Sequence, residues 1–453
     1  MTKKSGKNYL PSVFYLILTV IIILLALDFI PASFTDKYHL RHIDILSDIR
    51  KEEPEITQEP DSIPEPPRLD TCRYDLTCFE DFSLEQNGLD AFFEALNSKK
   101  KIRVAFFGDS FIEGDIFCGD LREKLQDQFG GRGVGMMPLS SNVSSFRQTV
   151  IHQYKGWKVN SITDSKTPEP GIGGNVFLPQ GDHSWVYYGG SEKKQHLDSC
   201  QRVSIFYNLK TTPVNISYKL NKGEESGNKT LTASGLPERL NIDYQNIGNV
   251  EISFPAKNDL LVYGISLEDL SGISVDNFSI RGYTGLTFNR ISTEMLTRFD
   301  SLLNYDLIIL GYGLNVMEAN RTNYKWFRDN MIKSIQHLQT SFPNAGFLLI
   351  GVSDRSMRKD GEYKTMPGVP AMVSTQREIC AETNIVFWNL YEAMGGENSM
   401  IELVNSKPPK ANKDYTHLTF AGGAFLGNKL YETIIFEKEL YDKKKDYYNQ
   451  INK

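Results

Sequence analysis

Residues 100 to 115 read KKIRVAFFGDSFIEGD. Ile102 to Phe107 is a short apolar run bounded by Lys100-Lys101 on one side and by Gly108-Asp109-Ser110 on the other. A run of that length and composition is the mark of a strand buried on both faces of a parallel sheet. A helix should follow it. Leu121, Leu125 and Phe129 recur at helical spacing in DLREKLQDQF, with charges on the other face, and Gly130-Gly131 closes the segment.

The same alternation returns later in the chain. DLIILGYG at 306 to 313 is a second strand, residues 325 to 340 a helix, and GFLLIGVSD at 346 to 354 a third strand. A helix at 370 to 383, the strand IVFWNL at 385 to 390 and a closing helix from Phe420 to Phe436 complete the series. Strands alternating with helices predict an α/β fold of three layers, α/β/α, with a parallel sheet covered on both faces.

Residues 135 to 275 break this rhythm. RVSIFYNL, VNISYKL, VEISFP and DLLVYGISLEDL alternate apolar and polar residues between Gly, Asn and Pro breaks, the pattern of half-buried antiparallel strands. They predict a β-sandwich inserted into the α/β domain, which then comprises 72–134 and 276–437. A charged tail occupies 438–453.

The N-terminal region is of another kind. Tyr9 to Phe29, YLPSVFYLILTVIIILLALDF, is apolar and long enough to cross a hydrocarbon core about 30 Å thick. Lys3, Lys4 and Lys7 precede it, so the positive-inside rule leaves residues 1–8 in the cytoplasm and sends the body to the periplasm or the cell exterior. The expectation is a single-pass anchor at 9–29 in the inner (cytoplasmic) membrane. The alternative is a cleaved signal peptide, for which Pro31-Ala32-Ser33 offers a processing site. A linker at 30–71 follows; from residue 51 it is rich in Pro and Glu, a composition that makes an extended, solvated spacer.

A formal net charge of -6 supplies no basic field for a nucleic-acid backbone, so nucleic acid is set aside as a partner. The cysteines number 5, so at least one thiol has no partner within the chain. Cys72 and Cys78 either close a small disulfide loop or stay free; Cys118, Cys200 and Cys380 lack metal-ligand spacing and read as buried small hydrophobes. No metal site and no cofactor are expected.

Ser110 sits where a buried strand turns into a helix, at the strand's carboxyl end, which is where open α/β sheets bind ligands. Gly108 lets the chain turn sharply, and the Ser110 amide can donate to a developing oxyanion. The plain alternative is an N-cap serine. Asp414-Tyr415-Thr416-His417, in DYTHLTFAGG, supplies the missing base: an Asp three residues before a His can accept its Nδ1 proton and orient the ring.

These blocks, GDS at 108 to 110, GYTG at 282 to 285, GYGLN at 311 to 315 and DYTH at 414 to 417, occur in the order and settings of the SGNH, or GDSL-type, hydrolases, and the chain resembles that family. The resemblance implies Ser110 as nucleophile, His417 as general base and then acid, and Asp414 as the group that orients the imidazole. It implies an oxyanion hole of the Ser110 amide, the Gly282 amide and the Asn315 side chain. Taken singly, Gly282 reads as a turn glycine and Asn315 as a loop residue satisfying its own backbone. The family often has Thr before and Glu after the third-block Asn; Leu314 and Val316 stand there instead, which leaves substrate preference open.

The insertion, together with GGRGVGMMP at 130 to 138, resembles the layout of peptidoglycan O-acetylesterases, which carry a carbohydrate-binding-module-like sandwich. Asp109, Arg355 and Trp157 are the candidate substrate contacts. Trp157, Trp185, Tyr187 and Tyr188 stack on sugar rings or pack within the sandwich. The polar loop 351 to 370, with Arg355, Arg358 and Lys359, is expected to line the cleft and to face an acidic glycan or merely solvent. The expected function is removal of O-acetyl groups from an acylated glycan of the envelope or the cell exterior, with a functional link to a membrane-bound acyltransferase. The alternatives are glycan O-acetyl transfer by the same triad and a non-catalytic glycan-binding scaffold.

Overall fold

The computed structural model describes residues 14–20, 22, 72–98, 101–164, 169–181 and 183–451. Residues 14–20 and 22 are helical and exposed, while the rest of the 9–29 segment and all of the 51–70 spacer lie outside the described residues. Among the described residues no helix is long and apolar enough to cross a membrane. The described residues from Cys72 onward form one compact unit.

Its centre is a six-stranded sheet in the order Phe79–Asp81, Val386–Trp388, Gly346–Ile350, Leu307–Gly311, Ile102–Gly108, Ile273–Ser279. All neighbours are parallel except Phe79–Asp81, which runs antiparallel to Val386–Trp388. Successive side chains point to opposite faces of a strand, and the sequence fills both faces with apolar groups. Ala105, Phe107, Ile308, Leu310, Phe347 and Leu349 enter one core, with the helices Thr293–Leu303, Lys325–Ser341 and Gly368–Thr383 over them. Val104, Phe106, Leu307, Ile309, Leu348 and Ile350 enter the other, covered by Asp90–Asn97, Cys118–Phe129 and Phe420–Ile451. From Ile102–Gly108 the chain steps outward to Ile273–Ser279, then returns to the opposite side at Leu307–Gly311. That reversal opens a crevice at the carboxyl ends of the two central strands.

Between Phe129 and Ile273 the chain builds two antiparallel sheets. One holds Val150–Lys155, Ser184–Gly190, Asn249–Phe254, Val214–Leu220 and Glu225–Leu231; the other holds Glu238–Ile247, Cys200–Leu209, Leu260–Glu268, Asn175–Pro179 and Trp157–Ser161, with Gly135–Met137 added beside Leu260–Glu268. Val186, Ile216, Val250 and Ile252 of the first share one core with Val203, Ile205, Ile242 and Val262 of the second. The second sheet is also covered on its far face: Phe206 and Tyr263 pack on Phe299 of the helix Thr293–Leu303, Tyr263 edge-on with ring centroids 5.4 Å apart. Arg103 of the central strand ties this layer down through an ion pair to Glu268, and pairs within its own sheet with Asp276 at 2.9 Å.

Several expectations need correcting in detail. Ile273–Ser279 begins inside the segment assigned to the insertion but pairs residue for residue with Ile102–Gly108 as an edge of the parallel sheet. The edge strand Phe79–Asp81 was not anticipated. The closing helix continues through the expected tail to Ile451, and the loop 351 to 370 contains the hairpin Ser356–Lys359/Glu362–Thr365. Cys72 and Cys78 form a disulfide, and Cys118, Cys200 and Cys380 are free and buried.

Candidate active site

The Gly108-Asp109-Ser110 turn leaves the central strand at the crevice. A Cβ on Gly108 would lie 2.8 Å from the Ile112 side chain and 3.2 Å from the Gly311 carbonyl, so a larger residue would have to push Ile112 aside and crowd the neighbouring strand. The turn beyond it is fixed from beneath by buried Asp115, whose backbone has φ +63. Its carboxylate pairs with Arg122 at 3.3 Å and Arg147 at 3.0 Å, and accepts from Thr149 at 2.6 Å and Asn277 at 2.7 Å. Burial opposes its charge, but the two guanidiniums outweigh burial and hold the carboxyl well below the usual range. Neither Asp115 nor its partners carries a motif that would single it out in the sequence.

Ser110 and His417, 307 positions apart in sequence, meet here: Ser110 Oγ lies 3.1 Å from His417 Nε2. On the other side of the ring, His417 Nδ1 is 2.8 Å from Asp414 Oδ2. Asp414 Oδ1 accepts the backbone N–H groups of Thr416 and His417, each at 3.0 Å. Partial burial pushes the Asp414 carboxyl up, but the His417 and Thr416 hydrogen bonds prevail and hold it below its ordinary value. The turn is closed by Tyr415 N–H donating to Asn412 O at 3.0 Å and Asn412 N–H to His417 O at 2.8 Å. The helix that follows starts hard against the Ser110 side: a Cβ on Gly423 would sit 1.6 Å from the Ile116 carbonyl oxygen.

Asn315 comes to the same rim. Its amide donates to Asp109 Oδ2 at 2.7 Å and to Tyr283 O at 3.2 Å, so both of its hydrogens are engaged. The contact with Tyr283 brings the Gly282-Tyr283 turn beside Asn315; Gly282 is exposed, with φ +75, and its neighbour Arg281 pairs with Glu113. Asp109 is 1% exposed and also accepts the Phe111 N–H at 2.9 Å. Burial pushes its carboxyl up to about 6, with the Phe111 N–H pulling the other way. Asp109 thus meets the interior and Asn315, where a direct substrate contact was expected.

Arg355 lies at the rim, its Nη1 3.4 Å from the Leu314 carbonyl, and Arg358 and Lys359 are exposed on the hairpin. Trp157 is engaged between the antiparallel sheets. Its indole N–H donates to Trp185 O at 3.0 Å and its ring meets Phe254 edge-on, which is packing and not an open sugar platform at the triad. Tyr188 is buried, its hydroxyl donating to Pro138 O at 2.8 Å.

Among solved structures, a peptidoglycan O-acetylesterase superposes with a TM-score of 0.61 at 20% identity, covering 81% of this chain and 99% of its own. In fold, the chain resembles the SGNH hydrolases. A GDSL-like lipase of Parabacteroides merdae (14% identity, TM-score 0.29, covering 36% of this chain and 74% of its own) also matches. So does a family two carbohydrate esterase of Cellvibrio japonicus (8%, 0.27, 62% and 98%). No family model and no curated protein sequence matches. In this fold the four sequence blocks converge on one rim: Ser110, Asn315 and His417 by side chain, Gly282 by its neighbour Tyr283.

Proposed function

We propose that this protein is a serine esterase that removes O-acetyl groups from an envelope or extracellular glycan. The observation that carries the reading is the continuous relay from Ser110 Oγ through His417, 3.1 Å and then 2.8 Å, to Asp414. The Ser110 hydroxyl donates its proton to Nε2 as Oγ attacks the ester carbonyl, and Asp414 stabilises the imidazolium that forms. His417 then returns the proton to the departing sugar oxygen, leaving an acetyl ester on Ser110. Water, deprotonated by the same Nε2, attacks this ester and releases acetate and free serine.

The oxyanion needs donors. Asn315 is held by a short bond to Asp109 and a longer one to Tyr283, and the hydrogen on the longer bond is the one a substrate oxyanion can take. The Ser110 and Gly282 amides complete the hole in this reading.

A glycan substrate is supported by the peptidoglycan O-acetylesterase likeness. Hydrolysis is favoured over transfer to another sugar by the openness of the base: the His417 and Asp414 side chains are 39% and 50% exposed, so water reaches the ring freely. In the same reading residues 9–29 anchor the chain in the cytoplasmic membrane, the spacer holds the body outside, and the two antiparallel sheets act as an inserted sandwich domain beside the catalytic one. Its substrate is then made by a separate, membrane-bound acyltransferase.

The test is acetate release from O-acetylated peptidoglycan and other acetylated glycans by the wild type and by Ser110→Ala. Release by the wild type alone is expected. Equal release by both would remove the triad, and acetyl transfer to an added sugar with little free acetate would convert the reading to a transferase.

A further inference from the structure

The hairpin Ser356–Lys359/Glu362–Thr365 stands outside the triad yet is bound to both halves of the site. At its root Arg355 Nη1 reaches the Leu314 carbonyl, next to Asn315, and Ser356 N–H donates to the Tyr415 carbonyl at 3.1 Å. The root is itself held: Met366 N–H donates to Arg355 O at 2.7 Å, and Thr365 and Asn398 exchange hydrogen bonds at 3.1 and 2.7 Å. The second strand carries Tyr363, whose ring lies flat on Tyr415, centroids 3.7 Å apart and planes at 14°.

Tyr415 is the residue on which the catalytic turn depends. It lies between Asp414 and His417 with φ +55, a backbone region that bulky side chains leave unless their surroundings hold them. With this left-handed step in place, Asp414 caps the Thr416 and His417 amides with one oxygen and meets Nδ1 with the other. The imidazole is too exposed to be wedged in place by packing, so the turn sets its direction.

We propose that the hairpin is a strap that sets the catalytic turn, and that Tyr363 is a positioning residue for His417, acting through the ring and backbone of Tyr415. The strap joins the Asn315 loop to the Asp414–His417 turn, so donor and base keep their relative placement. This rests on the esterase reading above.

The experiment measures kcat and KM of the full-length chain on a small acetyl ester for wild type, Tyr363→Ala, Tyr363→Phe and Ser110→Ala, with melting temperatures alongside. Tyr363→Ala should lose roughly threefold to tenfold in kcat with KM and melting temperature nearly unchanged, and Tyr363→Phe, which keeps the stack, should recover most of it. The Tyr363→Ala loss should shrink in a Tyr415→Gly background, because glycine takes positive φ unaided. Unchanged kcat in Tyr363→Ala, an effect confined to KM, a Phe variant as damaged as the Ala variant, or an equal loss in both backgrounds would each overturn the strap. An inactive Ser110→Ala beside any of these leaves the esterase reading standing, whereas an active Ser110→Ala defeats that reading itself.

Discussion

Replacing Asp109 by Asn should separate stability from activity. The buried Asp109 carboxylate accepts from Phe111 N–H with one oxygen and from the Asn315 amide with the other. An Asn in the same place has one acceptor and one donor. Either it keeps Phe111 and turns its own NH2 toward that of Asn315, or it keeps Asn315 and leaves the Phe111 N–H facing a donor. In the first arrangement Asn315 must rotate, and its alternative orientation points its oxygen at the Tyr283 carbonyl. On the proposed mechanism the oxyanion donor is then misplaced, which costs about 2.7 to 4 kcal/mol, or roughly a hundredfold to a thousandfold in kcat.

The pH dependence of stability should change as well. Burial raises the folded carboxyl from 3.8 to about 6, so the ionised form is disfavoured in the fold. The resulting penalty is absent below the unfolded value and fully present above the folded one; at 1.36 kcal/mol per unit it reaches about 3 kcal/mol at neutral pH, offset in part by the weaker neutral hydrogen bond. The wild type therefore loses this increment of stability as pH rises from about 4 to above 6, and Asp109→Asn does not. Urea unfolding at pH 4.5 and pH 8, with kcat and KM on a small acetyl ester, reads both effects. A variant with wild-type kcat, or one whose stability relative to wild type does not rise with pH between about 4 and 6, refutes the account of Asp109 as the holder of Asn315.

Three further outcomes are expected. Ser110→Ala and His417→Ala should each lower kcat by about 10⁴-fold or more with little change in thermal stability, and the double variant should be no worse than either, as for groups that act as a unit. Gly423→Ala should destabilise by about 3 kcal/mol in denaturant unfolding, because its new methyl would fall 1.6 Å from a backbone oxygen and force the closing helix away from the Ser110 side. Glu437 accepts the Phe79 N–H at 3.0 Å while burial pushes its carboxyl up to about 7. Glu437→Gln keeps the acceptor and removes the ionisation, so its stability relative to wild type should rise with pH between about 4.5 and 7 and stay level above; a difference independent of pH would contradict this.

The parallel sheet was legible from its two inner strands that are apolar on both faces: no polar residue interrupts Leu307 to Leu310 or Phe347 to Ile350. The strand Phe79–Asp81 was not, since it has three half-buried residues, two of them acidic, and pairs only at the sheet's edge. The alternation in the 135 to 275 segment indicated antiparallel strands but not that Cys200–Leu209 is buried on both faces, which comes from a helix ninety residues later in the chain. The hairpin at 356 to 365 left a local signal. Asp360 and Gly361 both take positive φ, as a two-residue hairpin turn requires, but polar flanks hid the strands. Within the site, Ser110, Asp414, His417 and Asn315 stand in recognisable local blocks. The Asp109–Asn315 bond spans 206 positions and the Tyr363–Tyr415 stack crosses from the hairpin to the Asp414–His417 turn, so neither leaves a trace in local sequence.

The most direct measurement is to treat the wild type and His417→Ala with a serine-directed phosphonate ester and map the modified peptide by mass spectrometry. One adduct on Ser110 is expected in the wild type, with loss of esterase activity in proportion, and labelling slowed by orders of magnitude in His417→Ala. Labelling of a different serine, or full Ser110 labelling that leaves activity intact, would contradict the central claim that His417 activates Ser110 as the nucleophile.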